Sequence, residues 1–306
     1  MKLQQSIPFF AVLLFATSHQ RADEPWVHHT TFEDFASGTL GNAGVNIYVA
    51  RAGRIEMLHR LDLNNDGYLD IFVANDHDKV EGADILVYWG RKNGPSSLLP
   101  PVAEHLPTYR LLDEIENRRS AALRLPSEGG GRATLTDLNG DGYAEIIFCN
   151  FKHNYTIYSN ATIYWNGRRG FDVNRRTELP TLLPGGVVAE DFNRDGFVDL
   201  AFANRGNFEQ LALVKPYGHL ESYIYWNGPD GFDVKRRTSV PTSTAVDCAS
   251  GDLNDDGYPE LIFANNNFQS KSLSLFWGSA EGFSKDRHEN WKATHPIAIH
   301  LAELNG

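Results

Sequence analysis

Apolar residues along this chain gather in short runs rich in Val, Ile, Leu, Phe and Tyr, and Gly, Asn and Asp separate the runs. Runs of that kind between turn-forming residues predict β-strands rather than helices. Their order recurs. A run such as "RATLT" enters an acidic stretch, and a run such as "YAEIIFC" leaves it. A connection of variable length follows, then a run such as "ATIYW", a glycine turn, and an outer strand that begins at a Phe. Four strands joined in chain order by turns predict an antiparallel meander.

The acidic stretch is the most regular part of the pattern. "LDLNNDGYLDIFVAN", "TDLNGDGYAEIIFCN", "EDFNRDGFVDLAFAN" and "GDLNDDGYPELIFAN" place Asp, Asn, Asp, Gly and Asp/Glu at positions 1, 3, 5, 6 and 9 of a loop. The first Asp falls at 62, 137, 191 and 252, and a fifth copy begins at Glu303 and stops at Gly306. Trp89, Trp165, Trp226 and Trp277 keep the same register, each followed five residues on by Gly94, Gly170, Gly231 or Gly282. The first unit is longer because of an insertion at roughly 95 to 116, whose prolines predict a surface loop. A unit of about 60 residues with four strands predicts a blade of a β-propeller. The predicted class is all-β, with about four blades and a partial fifth. The final strand, "HPIAIHLAE", is expected to stand alone at the end of an open arc, exposing Ile297 and Ile299.

These repeats resemble the FG-GAP or VCBS family, the units of the integrin alpha-chain propeller and of many secreted bacterial proteins. The resemblance rests on the four acidic loops with the strands behind them, supported by the Trp–turn–Gly-Phe segments at Phe171, Phe232 and Phe283, and spans about residues 30 to 306. It implies a propeller, often seven-bladed, with Ca2+ bound in the loop between the first two strands of a blade. Seven blades need about 420 residues at this repeat length, so the chain is expected to be a fragment or to lack its C-terminal end.

The loop residues suit that metal. Ca2+ takes six to eight hard oxygen ligands. Asp62, Asn64 and Asp66 alternate, so a tight turn aims all three at one point; Gly67 lets the backbone bend, the Tyr68 carbonyl turns inward and Asp70 closes the site. The matching sets are Asp137, Asn139, Asp141, Tyr143 and Glu145; Asp191, Asn193, Asp195, Phe197 and Asp199; and Asp252, Asn254, Asp256, Tyr258 and Glu260. An EF-hand starts alike but needs Glu at position 12 on a helix; Val73, Phe148, Phe202 and Phe263 stand there instead. Mg2+ rarely uses an all-protein cage. A solvated Asx-rich turn without metal is the competing reading. Four equivalent copies argue against a catalytic carboxylate pair.

The net charge of −11 excludes nucleic acid as an expected partner. Twelve loop carboxylates account for much of it, and four Ca2+ ions would bring the net to −3. Residues 1–22 read as a secretory signal: Lys2, the apolar "IPFFAVLLFA", then small residues at Ala16, Ser18 and Ala22. No later run is long enough for a membrane span. The expected domains are this leader and a repeat region from 23 to 306, secreted or extracytoplasmic. Only two cysteines, Cys149 and Cys248, occur, so the chain is not a disulfide scaffold. Cys149 replaces Ala74, Ala203 and Ala264 and reads as a small core residue, with a bridge to Cys248 left open.

The connections after "FVAN", "IFCN", "AFAN" and "IFAN" vary most and share one face of a meander, where ligand specificity is expected. Asp76, His77, Asp78, Lys152, His153, Arg205, Asn207, Asn266 and Phe268 are the candidates there. The registered tryptophans read as inter-blade filling before sugar-stacking platforms. Arg118/Arg119, Arg175/Arg176 and Arg236/Arg237 read as edge protection before an acidic-polymer site. The expected function is a secreted calcium-binding module for an extracellular protein or carbohydrate. The alternative is the propeller portion of a polysaccharide-active enzyme such as a lyase. A third reading is a purely structural adhesin part without its own ligand.

Overall fold

The structure, a computed structural model, describes residues 45–49, 55–59, 62–68, 70–73, 84–90, 123–128, 132–150, 158–206, 220–267 and 271–301. The chain divides into two units, residues 1–43 and 44–306, and every described residue belongs to the second. The leader, the 95–116 insertion and the first arginine pair lie outside the described residues.

All regular elements among the described residues are strands, each paired antiparallel to its neighbour in chain order. β6 (Arg132–Thr136), β7 (Glu145–Cys149), β8 (Ser159–Tyr164) and β9 (Arg176–Thr181) form one four-stranded sheet. β10 (Pro184–Glu190), β11 (Asp199–Asn204), β12 (Leu220–Tyr225) and β13 (Arg237–Thr242) form the next. β14 (Ala245–Gly251), β15 (Glu260–Asn266), β16 (Lys271–Phe276) and β17 (His288–Lys292) form the last. The first repeat differs. β3 (Ile71–Val73), β4 (Ile85–Tyr88) and β5 (Leu123–Leu125) make a three-stranded sheet, whereas β2 (Ile55–His59), in the place of an inner strand, pairs with β1 (Val45–Val49). These are blade-like sheets, compatible with an incomplete propeller.

Why the second strand of each blade is apolar throughout follows from its packing. Ile146 and Phe148 of β7 pack toward the preceding blade with Leu63, Ile85, Val87 and Leu125, while Ile147 and Cys149 pack toward the following one with Leu200 and Phe202. β11 repeats this, with Leu200 and Phe202 on one face and Ala201 and Ala203 on the other beside Cys248 and Phe263. Successive side chains point to opposite faces, so a strand covered on both sides cannot alternate apolar with polar. Cys149 and Cys248 are both buried and free, and β11 separates the two cores that hold them. Phe148, Phe202 and Phe263, at position 12 of their loops, are fully buried in strands, which rules out an EF-hand there.

The tryptophans fill the joints between blades. Trp89 and Phe171 pack against one inter-blade core, Trp165 and Phe232 against the next, and Trp226 stacks on Phe283 of the following blade at 6.2 Å. Trp165 and Trp226 donate their indole N–H to Thr177 and Thr238 at 2.9 Å.

Two strand expectations need correction. The outer strands begin at Arg176, Arg237 and His288, five residues beyond each Phe. The intervening residues form a side-chain-capped turn: Asp172 accepts from Asn174 N and Asp233 from Lys235 N, both at 2.9 Å, and Ser284 Oγ accepts from Asp286 N at 3.2 Å. Second, residues 296–301 form no strand. In the three four-stranded sheets the inner strand ladders only with the second strand of its own blade, as Pro184 to Glu190 do with Asn204 to Asp199. Among the described residues nothing plays that part for 296–301. Instead the Ile299 N–H donates to Asp247 at 3.1 Å, and Ile297 is 68% exposed.

Inner strands of adjacent blades approach closely. A Cβ on Gly185 would lie 2.6 Å from the Val246 carbonyl oxygen. Backbone cannot swing aside as a side chain can, so Gly185→Ala is expected to cost about 1–3 kcal/mol by overpacking. Urea unfolding of the two proteins measures it, and an unchanged midpoint would contradict the contact.

Candidate functional site

Each acidic loop folds on its own oxygens. In the first, Asp66 N donates to both Asp62 Oδ1 at 3.0 Å and Asn64 Oδ1 at 3.2 Å, so the side chains of positions 1 and 3 meet at one amide. Gly67 N donates to Asp62 Oδ2 at 2.6 Å, and Tyr68 N to Asp66 Oδ1 at 2.9 Å. Short polar side chains at alternate positions capture the amides two and four residues on, which is the turn that Asx residues favour. The other loops repeat the set: Asp141, Asp195 and Asp256 N each reach the carboxylate at position 1 and the carboxamide at position 3. Gly67, Gly142, Gly196 and Gly257 take φ of 87°, 86°, 91° and 89°, a region that favours glycine.

Positions 1, 3 and 5 therefore share one turn at the surface, with the residues of position 5, Asp66, Asp141, Asp195 and Asp256, exposed in every loop. The residues of position 7, Tyr68, Tyr143, Phe197 and Tyr258, close the turn by donating their N–H to position 5. Position 9 lies behind the turn. Asp70 is 6% exposed, and Glu145, Asp199 and Glu260 are fully buried. Each clamps two backbone amides, one in its own loop and one just after the Trp of its blade. Asp70 takes Leu63 N and Gly90 N, both at 2.7 Å. Glu145 takes Leu138 N at 2.7 Å and Asn166 N at 3.3 Å; Asp199 takes Phe192 N at 3.3 Å and Asn227 N at 2.8 Å; Glu260 takes Leu253 N at 2.6 Å and Gly278 N at 3.4 Å. The clamp puts the acidic loop and the Trp turn at the same end of the sheet.

The clamp is electrostatically loaded. Burial, reinforced by the carboxylates at positions 1 and 5, pushes the Asp70 carboxyl up to about 6 and those of Glu145 and Asp199 up to about 7, although the amide hydrogen bonds oppose the shift. Glu260 is raised for the same reasons. Among the described residues no lysine or arginine forms an ion pair with a loop carboxylate. No three Asp, Glu, His or Cys side chains among them converge at metal distance either.

The arginine pairs divide their work. Arg175 and Arg236, like the single Arg287 of the last repeat, donate to the carbonyls of Gly170, Gly231 and Gly282, closing the glycine turns. Arg237 lies over the Tyr223 ring at 3.9 Å. Of the candidates on the variable connections, Arg205 and Asn266 are described, and their amides bond to Leu183 O and Thr244 O, which anchors the strand ends. Asp76, His77, Asp78, Lys152, His153, Asn207 and Phe268 lie outside the described residues.

A second recurring device lies in the closing Asn of the second, third and fourth repeats. Asn150 Oδ1 accepts from Glu128 N at 3.0 Å, Asn204 Oδ1 from Leu182 N at 3.0 Å and Asn265 Oδ1 from Ser243 N at 2.9 Å, tying the end of the preceding blade to the second strand of the next. Their Nδ2 atoms bond to the third strand, at Asn160 O, Glu221 O and Ser274 Oγ. The signal was the Asn itself, which is apolar in no copy although it ends an apolar run.

No helix among the described residues is long and apolar enough to cross a membrane. No curated protein matches the chain. The family model for an FG-GAP-like repeat matches residues 137–202 and 191–263, taking in the second, third and fourth acidic loops with the strands behind them. Over residues 137–263, with their blade-like sheets and clamped acidic loops, the chain carries FG-GAP-like repeats.

Proposed function

We propose that this chain is a secreted, calcium-binding propeller-type module that recognises an extracellular protein or carbohydrate. The observation that carries the reading is the acidic loop, folded on its own side-chain oxygens alike in all four copies. Its donors are all oxygen, which suits a hard cation. A carboxylate has about four lone-pair sites, so the two amides on position 9 leave capacity on Asp70, Glu145, Asp199 and Glu260. Asp62, Asn64 and Asp66, with the Tyr68 carbonyl, would hold the ion in the first loop, and their counterparts in the others. A bound Ca2+ supplies divalent charge that offsets carboxylate repulsion and the burial of position 9. The protein's own part is to hold the turn closed on its amides, so that few dihedrals remain to be ordered. The variable connections are the proposed ligand face, and the net charge of −11 speaks against nucleic acid.

Calorimetric titration with Ca2+, combined with thermal melting, tests this. A folded-state ligand stabilises by about 2.7 kcal/mol per site at a hundredfold excess over Kd, so Ca2+ is expected to raise Tm. Asp141→Ala is expected to remove one equivalent of binding. Absence of both a heat signal and a melting shift overturns the reading.

A further inference from the structure

Position 4 takes the same left-handed backbone conformation in every loop. Asn65, Gly140, Arg194 and Asp255 all have positive φ, between 57° and 73°. A side chain there is lifted from the loop toward its neighbour. Two of the four reach it. Asn65 Nδ2 donates to the Gly142 carbonyl of the second loop at 2.8 Å, across 77 residues of sequence. Arg194 Nε donates to the Gly257 carbonyl of the fourth loop at 2.6 Å, across 63 residues. Both acceptors are the glycine at position 6. The second loop has Gly140 at position 4 and therefore no side chain to offer the third.

We propose that Asn65 and Arg194 are positioning residues that couple the acidic loops in pairs, the first with the second and the third with the fourth, so that cation binding to one member strengthens binding to the other. This rests on the calcium reading. The acceptor peptide explains the effect. The 142–143 peptide is held at its oxygen by Asn65 and at its nitrogen by Asp141 Oδ1, which accepts from Tyr143 N at 2.9 Å. The next carbonyl along the chain is that of Tyr143, the backbone ligand of the second loop. Asn65 in turn sits between Asn64 and Asp66, two ligands of the first loop. Ordering either loop therefore holds one end of the bridge in place, and the ordering cost of the second loop falls once the first is filled. By linkage the effect is reciprocal. The third and second loops lack such a direct bridge; Asn227 Nδ2 meets Leu138 O at 3.2 Å behind the turn, away from the position 6 peptide. Arg194 also brings a positive charge to the rim of the fourth loop, which opposes a cation there. The coupling is therefore expected to be larger in the first pair, where Asn65 is neutral.

The amide of Gly142, which bonds to Asp137 Oδ2 at 2.7 Å, follows the second loop when the whole chain is titrated with Ca2+ by NMR. Asp66→Ala disables the first loop. In the otherwise unchanged protein it is expected to raise the Gly142 midpoint about fivefold or more, the lower range of allosteric coupling. In an Asn65→Gly background the same change is expected to leave the midpoint within twofold. Gly is tolerated at this position, since Gly140 occupies it in the second loop with φ of 73°. If Asp66→Ala does not fold, Asp66→Asn makes the same comparison with a milder loss. A Gly142 resonance that never responds to Ca2+ overturns the calcium reading itself. A midpoint that responds but ignores Asp66→Ala leaves calcium binding intact and overturns the coupling. A shift that persists undiminished with Asn65→Gly overturns the role of Asn65.

Discussion

Asn204→Ala is expected to lower the unfolding free energy by roughly 2–5 kcal/mol. Asn204 is fully buried at the end of β11. Its oxygen takes Leu182 N at 3.0 Å and its amide reaches Glu221 O at 2.7 Å. Truncation strands both groups, and each buried unpaired polar group costs about 1–3 kcal/mol. A cavity adds to this. Asn204→Asp separates the two halves of the effect, because a carboxylate still accepts from Leu182 N but meets the Glu221 carbonyl with like polarity. It is expected to be at least as damaging near neutral pH. Urea unfolding at constant Ca2+ reads both variants, with Asn160→Ala as the control, since the Asn160 side chain is exposed and pairs with Glu178 at the surface. A loss below about 1 kcal/mol for Asn204→Ala would show that the blade junction is held elsewhere.

The acidic loop was legible in the sequence because everything that shapes it is local. Asp62, Asn64, Asp66 and Gly67 act on amides two to five residues away. The second strands were legible because burial on both faces leaves an unbroken apolar run such as "EIIFC". What escaped was non-local. The second amide held by position 9 lies 18 to 28 residues downstream, beyond a connection of variable length. Nothing in the spacing of Glu145 alone announces Asn166. The outer strands were read as starting at Phe171, Phe232 and Phe283 because aromatic residues favour strands; Asp172, Asp233 and Ser284 override that preference with local capping. The strand expected over 296–301 shows the opposite failure. "PIAIHLA" alternates as a strand should, but pattern only prepares a backbone to pair, and Asp247 offers that segment one acceptor instead of a ladder.

Stability in a chelator is expected to fall as pH rises from about 5 to about 7.5, the reverse of ordinary acid denaturation, and Ca2+ is expected to abolish the fall. Unfolded Asp and Glu titrate near 4. Folded Asp70 titrates at about 6, and Glu145 and Asp199 at about 7, because burial disfavours their charged forms. Between these values the folded state binds more protons than the unfolded state. Stability therefore decreases with rising pH across that window and levels off above it. A bound divalent cation favours the ionised form, lowers the folded pKa values toward the unfolded ones, and so removes the proton difference. Ca2+ should accordingly raise Tm most above pH 7 and least near pH 5, where position 9 is protonated and the ion must displace protons to bind. A net change of a few kcal/mol corresponds to roughly 5–10 °C in a domain of this size. Asp199→Asn is expected to flatten the chelator curve, since a carboxamide keeps one acceptor for the clamped amides and no longer titrates. Melting curves from pH 5 to 8, with and without Ca2+, carry the whole test. A chelator Tm that climbs with pH would show that position 9 is ionised without a cation, and that the amide clamp alone suffices to hold the charge.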